Sequence, residues 1–151
     1  MMKTMNFFLS AEVYGAAYSR WRPLRIQAEK QLETLREKDY GDELKSIAII
    51  SIIVPTSFYD KGGYRERKLY KRKTKEADIR LRIDYNEFIH ASEEERLNIY
   101  YNHIVQSIRT LQKKLEPDFD YPRLEEDVKQ ALCMRENNCD QRNWKEEEGQ
   151  L

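Results

Sequence analysis

Two histidines and two cysteines are the whole stock of imidazoles and thiols in this sequence, and neither pair is spaced for chemistry. Cys133 and Cys139 match neither a zinc knuckle nor a redox CxxC, and both read as reduced thiols. His90 and His103 fall on different elements, with no further ligand at helical or hairpin spacing, so no metal site is expected. His103 and Ser107 share a helical face, yet no group is placed to orient the imidazole, and a nucleophile pair is unsupported. Glycine is scarce, and its one pair, Gly62-Gly63, lacks the strand-to-helix context of a phosphate loop and reads as a turn. Glu12, two residues after Ser10, reads as a capping acid at a helix start. No catalytic residue and no cofactor is therefore expected.

Long apolar runs are also missing. Phe7-Phe8-Leu9 falls far short of a signal-peptide core, and nothing approaches a membrane span. The formal net charge of +0 gives no support to whole-molecule attraction for nucleic acid or anionic membrane. No internal repeat or low-complexity tract stands out. What remains is a chain of 151 residues, 40% hydrophobic and 36% charged with ten tyrosines, which suits one core-forming domain with an ionic surface. The expected division is a single α+β domain over 1–132 and a polar tail over 133–151, in a cytosolic protein.

The clearest strand lies in Ala77 to Phe88, where Ile79, Leu81, Ile83 and Tyr85 alternate with Arg80, Arg82 and Asp84. Leu44 to Val54 is a nearly continuous β-branched run closed by Pro55, the composition of a central strand. If its second face is left uncovered, that face is a candidate contact surface. Tyr64 to Lys73 alternates poorly and reads as a solvent-washed strand after the Lys61-Gly62-Gly63 turn. Short connections predict an antiparallel meander from about Leu44 to Tyr85, with Met5 to Ser10 as an added strand whose consecutive apolar residues suit an internal position. The expected fold is thus a small, mainly antiparallel sheet packed by helices. One is a long N-terminal helix kinked at Pro23, with a stripe from Val13 through Trp21 and Ala28 to Leu35, ending near Gly41. A second, near 92–115, opens with the capping box Ser92-Glu93-Glu94-Glu95. A short C-terminal helix begins at Pro122 after the stop at Glu116-Pro117, with Leu124, Val128 and Leu132 as its stripe.

A basic cluster runs from Lys61 to Arg82 with Tyr64, Tyr70 and Tyr85 interleaved. Three readings stay open for it: a solvated, aggregation-resistant hairpin, a contact for an acidic protein, or a single-stranded nucleic-acid surface using phosphate contacts and stacking.

Several short blocks, Phe8-Leu-Ser-Ala-Glu12, Lys45-Ser-Ile-Ala-Ile-Ile50, Glu66-Arg-Lys-Leu-Tyr-Lys-Arg-Lys73, Glu76-Ala-Asp-Ile-Arg-Leu-Arg-Ile-Asp-Tyr85 and Ser107-Ile-Arg-Thr-Leu111, together resemble immunity family 44 of bacterial polymorphic toxin systems. The resemblance covers the chain up to about Leu115. It implies a small cytosolic protein, encoded beside a secreted toxin, that binds that toxin and neutralises it without catalysis. Toxins of such systems are often nucleases. Tyr70, Arg72, Arg80 and Arg82 are then the candidate contact residues, if the two strands place them side by side toward an acidic toxin surface. The competing reading pairs these arginines internally. Glu125, Glu126 and Asp127 are the alternative surface, suited to a basic nuclease groove. A nucleic-acid-binding module using the hairpin 61–82 is the rival function.

Overall fold

The computed structural model describes residues 5–60, 62–115 and 119–134. Lys61, the Glu116-Pro117 stop and the tail beyond Met134, including Cys139, lie outside them, as do the side chains of Lys113, Cys133 and Met134. Four strands, β1 (Asn6–Val13), β2 (Ser46–Ile53), β3 (Arg67–Lys71) and β4 (Glu76–Arg82), form one sheet in the order β1-β2-β4-β3. Among the described residues the α-helices are α1 (Ala17–Leu32), α2 (Tyr85–His90), α3 (Glu93–Arg109) and α4 (Tyr121–Met134). Among the described residues, no helix is long and apolar enough to cross a membrane.

The sheet is mixed, which corrects the expectation of a mainly antiparallel meander. β1 and β4 both run parallel to β2, and only β3 and β4 pair antiparallel. The reason lies in which strand needs an interior position. β4 buries Ala77, Ile79 and Leu81, whereas β3 is exposed at four of its five residues. The connection 54–66 is long enough to carry the chain past one strand position, so β3 takes the basic, poorly apolar edge and β4 returns between it and β2. β1 is likewise an edge and not an internal strand, and its Phe8 is 58% exposed. It also extends past Ser10 to Val13, so Val13 and Glu12 belong to a strand rather than to the first helix. Gly15, at φ 58°, makes the turn into α1, which carries the chain back for the parallel return to β2.

Helix α1 is continuous through Pro23 and buries Ala17, Trp21, Ala28 and Leu32. The alternation of β4 stops earlier than the sequence suggests, because Asp84 caps a new helix. Its carboxylate accepts from the Glu87 N–H at 2.9 Å, and Tyr85 becomes the first residue of α2 instead of the last of a strand. The Ser92 capping box is present: Ser92 Oγ accepts from the Glu95 N–H at 3.2 Å, and the Glu95 carboxylate accepts from the Ser92 N–H at 2.9 Å. Helix α3 then buries Leu97, Tyr100, Tyr101, Ile104 and Ile108. In α4 the stripe Leu124, Val128 and Leu132 is buried.

One core unites helices and sheet, and it includes Leu9, Ile47, Ile49, Ile53, Ala77, Ile79 and Leu81, all from the same face of the strands. The other face is charged, exposed or half-exposed, apart from Ile52. Two substitutions probe local geometry. Ser92→Ala should lower stability by about 1 kcal/mol, read as a shift in denaturation midpoint. Lys75 sits at φ 61° in the β3–β4 turn, so Lys75→Gly should raise the midpoint by the equivalent of about 1 kcal/mol.

Candidate partner-binding surface

The register fixes what each face of the sheet presents. On the face away from the helices, Phe8, Ala48, Asp78 and Leu69 line up across the four strands, and Ser10, Ile50, Arg80 and Arg67 form the next row. Leu69 is 38% exposed and, with Phe8, belongs to the few large apolar side chains left in water. Beyond these rows, toward Glu12, Ile52 and Arg82, Ile52 is fully buried, and Gly63 and Tyr64 of the connection after β2 meet Arg80 and Arg82.

Arg80 and Arg82 hold that connection down. They point away from the Ile79 and Leu81 face, as their alternation requires. Arg80 Nη2 reaches past β2 to the Glu12 carboxylate of β1 at 2.7 Å and also donates to the Gly63 carbonyl. Glu12 is therefore an ion-pair partner on a strand, not a helix-capping acid. Arg82 donates to the Tyr64 carbonyl from Nε and Nη2 at 3.3 and 3.2 Å, and its guanidinium lies 3.7 Å from the centre of the Tyr59 ring. Burial pushes the Tyr59 hydroxyl pKa up, against the opposing pull of Arg82. Aromatic edges complete the clamp: Phe58 packs on Tyr14 at 5.0 Å and on Tyr64 at 6.1 Å, and Tyr14 meets Tyr85 at 6.0 Å.

Tyr70 and Arg72 do not stand beside this pair. Because Arg67 opposes Arg80, Tyr70 opposes Ala77 on the helix-covered face, where its hydroxyl donates to the Glu43 carbonyl. Arg72 lies past the end of β3 and pairs with the Glu43 carboxylate at 3.4 Å. The hairpin tip nonetheless remains cationic, since Lys71, Lys73 and Lys75 make no ion pair with any described residue.

The carboxylates of α4 are mostly occupied. Burial pushes the Glu125 pKa up, but hydrogen bonds from Arg109, Tyr121 and Lys129 outweigh it and hold the group below its ordinary range. Asp127 accepts from the Tyr40 hydroxyl at 2.8 Å, with Lys38 and Arg123 at 3.9 and 3.8 Å. Glu126 is exposed and meets only Gln130, at 3.4 Å, within the described residues.

The histidines are far from forming a site. His90 is exposed on α2, with Nδ1 2.9 Å from the Asn86 carbonyl. His103 is buried in α3, stacked on Tyr100 at 6.3 Å, and burial lowers its pKa from 6.5 to about 4. Ser107 Oγ donates to the His103 backbone carbonyl, not to the ring. Sequence reasoning missed the clamp because Tyr59, Tyr64 and Glu12 sit at positions where no local period singles them out.

Two outcomes follow. Arg80→Ala should lower stability by about 1–2 kcal/mol, most of it absent in a Glu12→Gln background. His103 binds its proton more tightly when unfolded, so stability should fall as pH drops below 6.5 toward 4, by up to about 3 kcal/mol in all. Glu125, lowered from 4.5, acts only in more acid solution. The slope between about pH 6.5 and 5 should accordingly flatten in a folded His103→Gln variant.

A family model described as Immunity protein 44 matches residues 5–134, from the start of β1 to the end of α4. No curated protein and no solved structure matches the chain.

Proposed function

We propose that this chain, which belongs to the immunity protein 44 family, neutralises a cognate toxin in the cytosol of the producing cell by occluding it, with no turnover of its own. The observation that carries the reading is the sheet face the helices leave open. There, exposed Phe8 and Leu69 stand at opposite edges of one row, and the hairpin on the Leu69 side ends in a tip with three cations that have no ion-pair partner among the described residues. Exposed apolar side chains set among charges are a common feature of protein interfaces. Of the four residues the sequence points to, Arg72 belongs to this tip. Arg80 and Arg82 support the surface from within by fixing the connection 54–66, and Tyr70 anchors β3 from behind.

The partner surface this arrangement favours is acidic, and a nuclease is one class of toxin it would occlude. The α4 carboxylates make a weaker alternative, because Glu125 and Asp127 are already engaged by cations and tyrosine hydroxyls. Nucleic acid is disfavoured for a similar reason. Its stacking platform would need Tyr64, Tyr70 and Tyr85 together on the basic face, and they are dispersed to the connection, the core side of β3 and α2.

The test is a titration with the toxin domain encoded beside this chain's gene. A one-to-one complex should form and survive a rise in salt from about 50 to 200 mM, a range over which a contact built on many phosphates weakens by orders of magnitude. Leu69→Asp, or Lys71→Glu combined with Lys73→Glu, should weaken that complex about tenfold or more while leaving the melting temperature nearly unchanged. Oligonucleotide binding with a steep salt dependence and no toxin complex would refute the proposal.

A further inference from the structure

The two edges of the sheet are treated differently. The β3 edge is guarded by Arg67, Lys68 and Lys71, residues that discourage strand pairing. The β1 edge has no cation and no proline, and its one carboxylate, Glu12, is already bound to Arg80. The Asn6 N–H bonds the Lys45 carbonyl at 3.0 Å and the Tyr14 N–H bonds the Ile53 carbonyl at 3.1 Å, so alternate residues of β1 face β2. The backbone groups of Phe7, Leu9, Ala11 and Val13 therefore face outward, and none has a hydrogen-bond partner among the described residues. The ladder is closed only at its start, where the Met5 N–H meets the Arg36 carbonyl at 2.8 Å.

A groove of about 410 Å³ opens beside the start of this edge, at Met5 to Phe7, against the outer flank of α1. Phe7, Ile26 and Leu32 form its apolar floor, and Lys30, Glu33 and Arg36 stand at its rim. Glu29 on that rim is paired with Arg25 at 2.9 Å, while Lys30, Glu33 and Arg36 make no ion pair among the described residues, so the rim offers two cations and one carboxylate.

We infer that β1 accepts a fifth strand from the toxin: an extended segment that hydrogen-bonds to Phe7, Leu9, Ala11 and Val13, places an apolar side chain in the groove and sets a carboxylate against Lys30 or Arg36. The inference rests on the binding role proposed above and adds a second contact, at the sheet edge opposite the β3–β4 hairpin. Main-chain bonding gives the hold, and alternate side chains give the selection. A second copy of the chain fits this place poorly. The core-face side chains of its β1 are covered by its own α1, as buried Leu9 shows, and that helix would compete for the space above the edge.

Amide hydrogen exchange, with the same adjacent-gene toxin domain as probe, tests the inference. In the free protein the Phe7, Leu9, Ala11 and Val13 amides should exchange quickly beside the slow Phe8 and Ser10 amides. In the complex they should slow at least about tenfold. Ala11→Pro removes a donor that no internal bond uses, a change an edge strand tolerates, and should weaken the toxin complex about tenfold or more with the fold intact. Ile26→Glu, which fills the groove without touching the strand, should act in the same direction. A toxin complex that leaves these four amides fast overturns the strand addition and leaves the binding role standing. The absence of any toxin complex overturns both. A dimer of the free protein that Ala11→Pro abolishes would assign the edge to a second copy and overturn the toxin strand.

Discussion

The structure depends on an interior strand that is apolar on one side only. β4 sends Ala77, Ile79 and Leu81 into the core and Asp78, Arg80 and Arg82 the other way, and it does so between two neighbours. Covering both of its faces with helices would strand two guanidinium groups under apolar surface, a cost of several kcal/mol for each unpaired charge. The helices therefore gather on one side. On the other, the arginines and the aromatic contacts of Phe58 together fasten a loop to the sheet. The ion pair from Arg80 to Glu12 links an interior strand to an edge strand across β2, so the covered part of the open face and its uncovered part are set by one side chain.

Much of this was legible in the sequence, and the limits have a common cause. A period of two marks β4, and the serine with a glutamate three residues on marks the start of α3, because both signals are local. The order of strands is not local. Nothing in the alternation of 77–83 says whether its neighbours are β2 and β3 or only one of them, and the assumption that consecutive strands pair failed where the connection 54–66 was long enough to skip a place. Asp84 and Glu87 repeat the capping pattern of Ser92 and Glu95, but the apolar rhythm running on through Ile83 and Tyr85 concealed it. The same limit applies to the surface. That Arg80 and Arg82 share a face follows from their spacing, whereas the separation of Tyr70 from them follows from pairing Arg67 with Arg80. A slip of one residue would have brought Tyr70 to their side.

Balance between charges is also less simple than a net value of zero suggests. The carboxylates of α4 are consumed by cations and phenols that bind the helix to its neighbours: Tyr40 and Lys38 from before β2, Arg109 from α3. The hairpin keeps more of its positive charge. A neutral protein thereby presents a basic side at the hairpin.

The parallel pairing of β1 also has a consequence for synthesis. The strand leaves the ribosome before any of the chain it will bond, since Asn6 waits for Ser46 and Val13 for Ile53. The β3–β4 hairpin closes within itself, but β1 spends the translation of α1 and the turn beyond it with neither edge occupied. The order of synthesis thus leaves the apolar side chains of β1 open to other chains until β2 arrives.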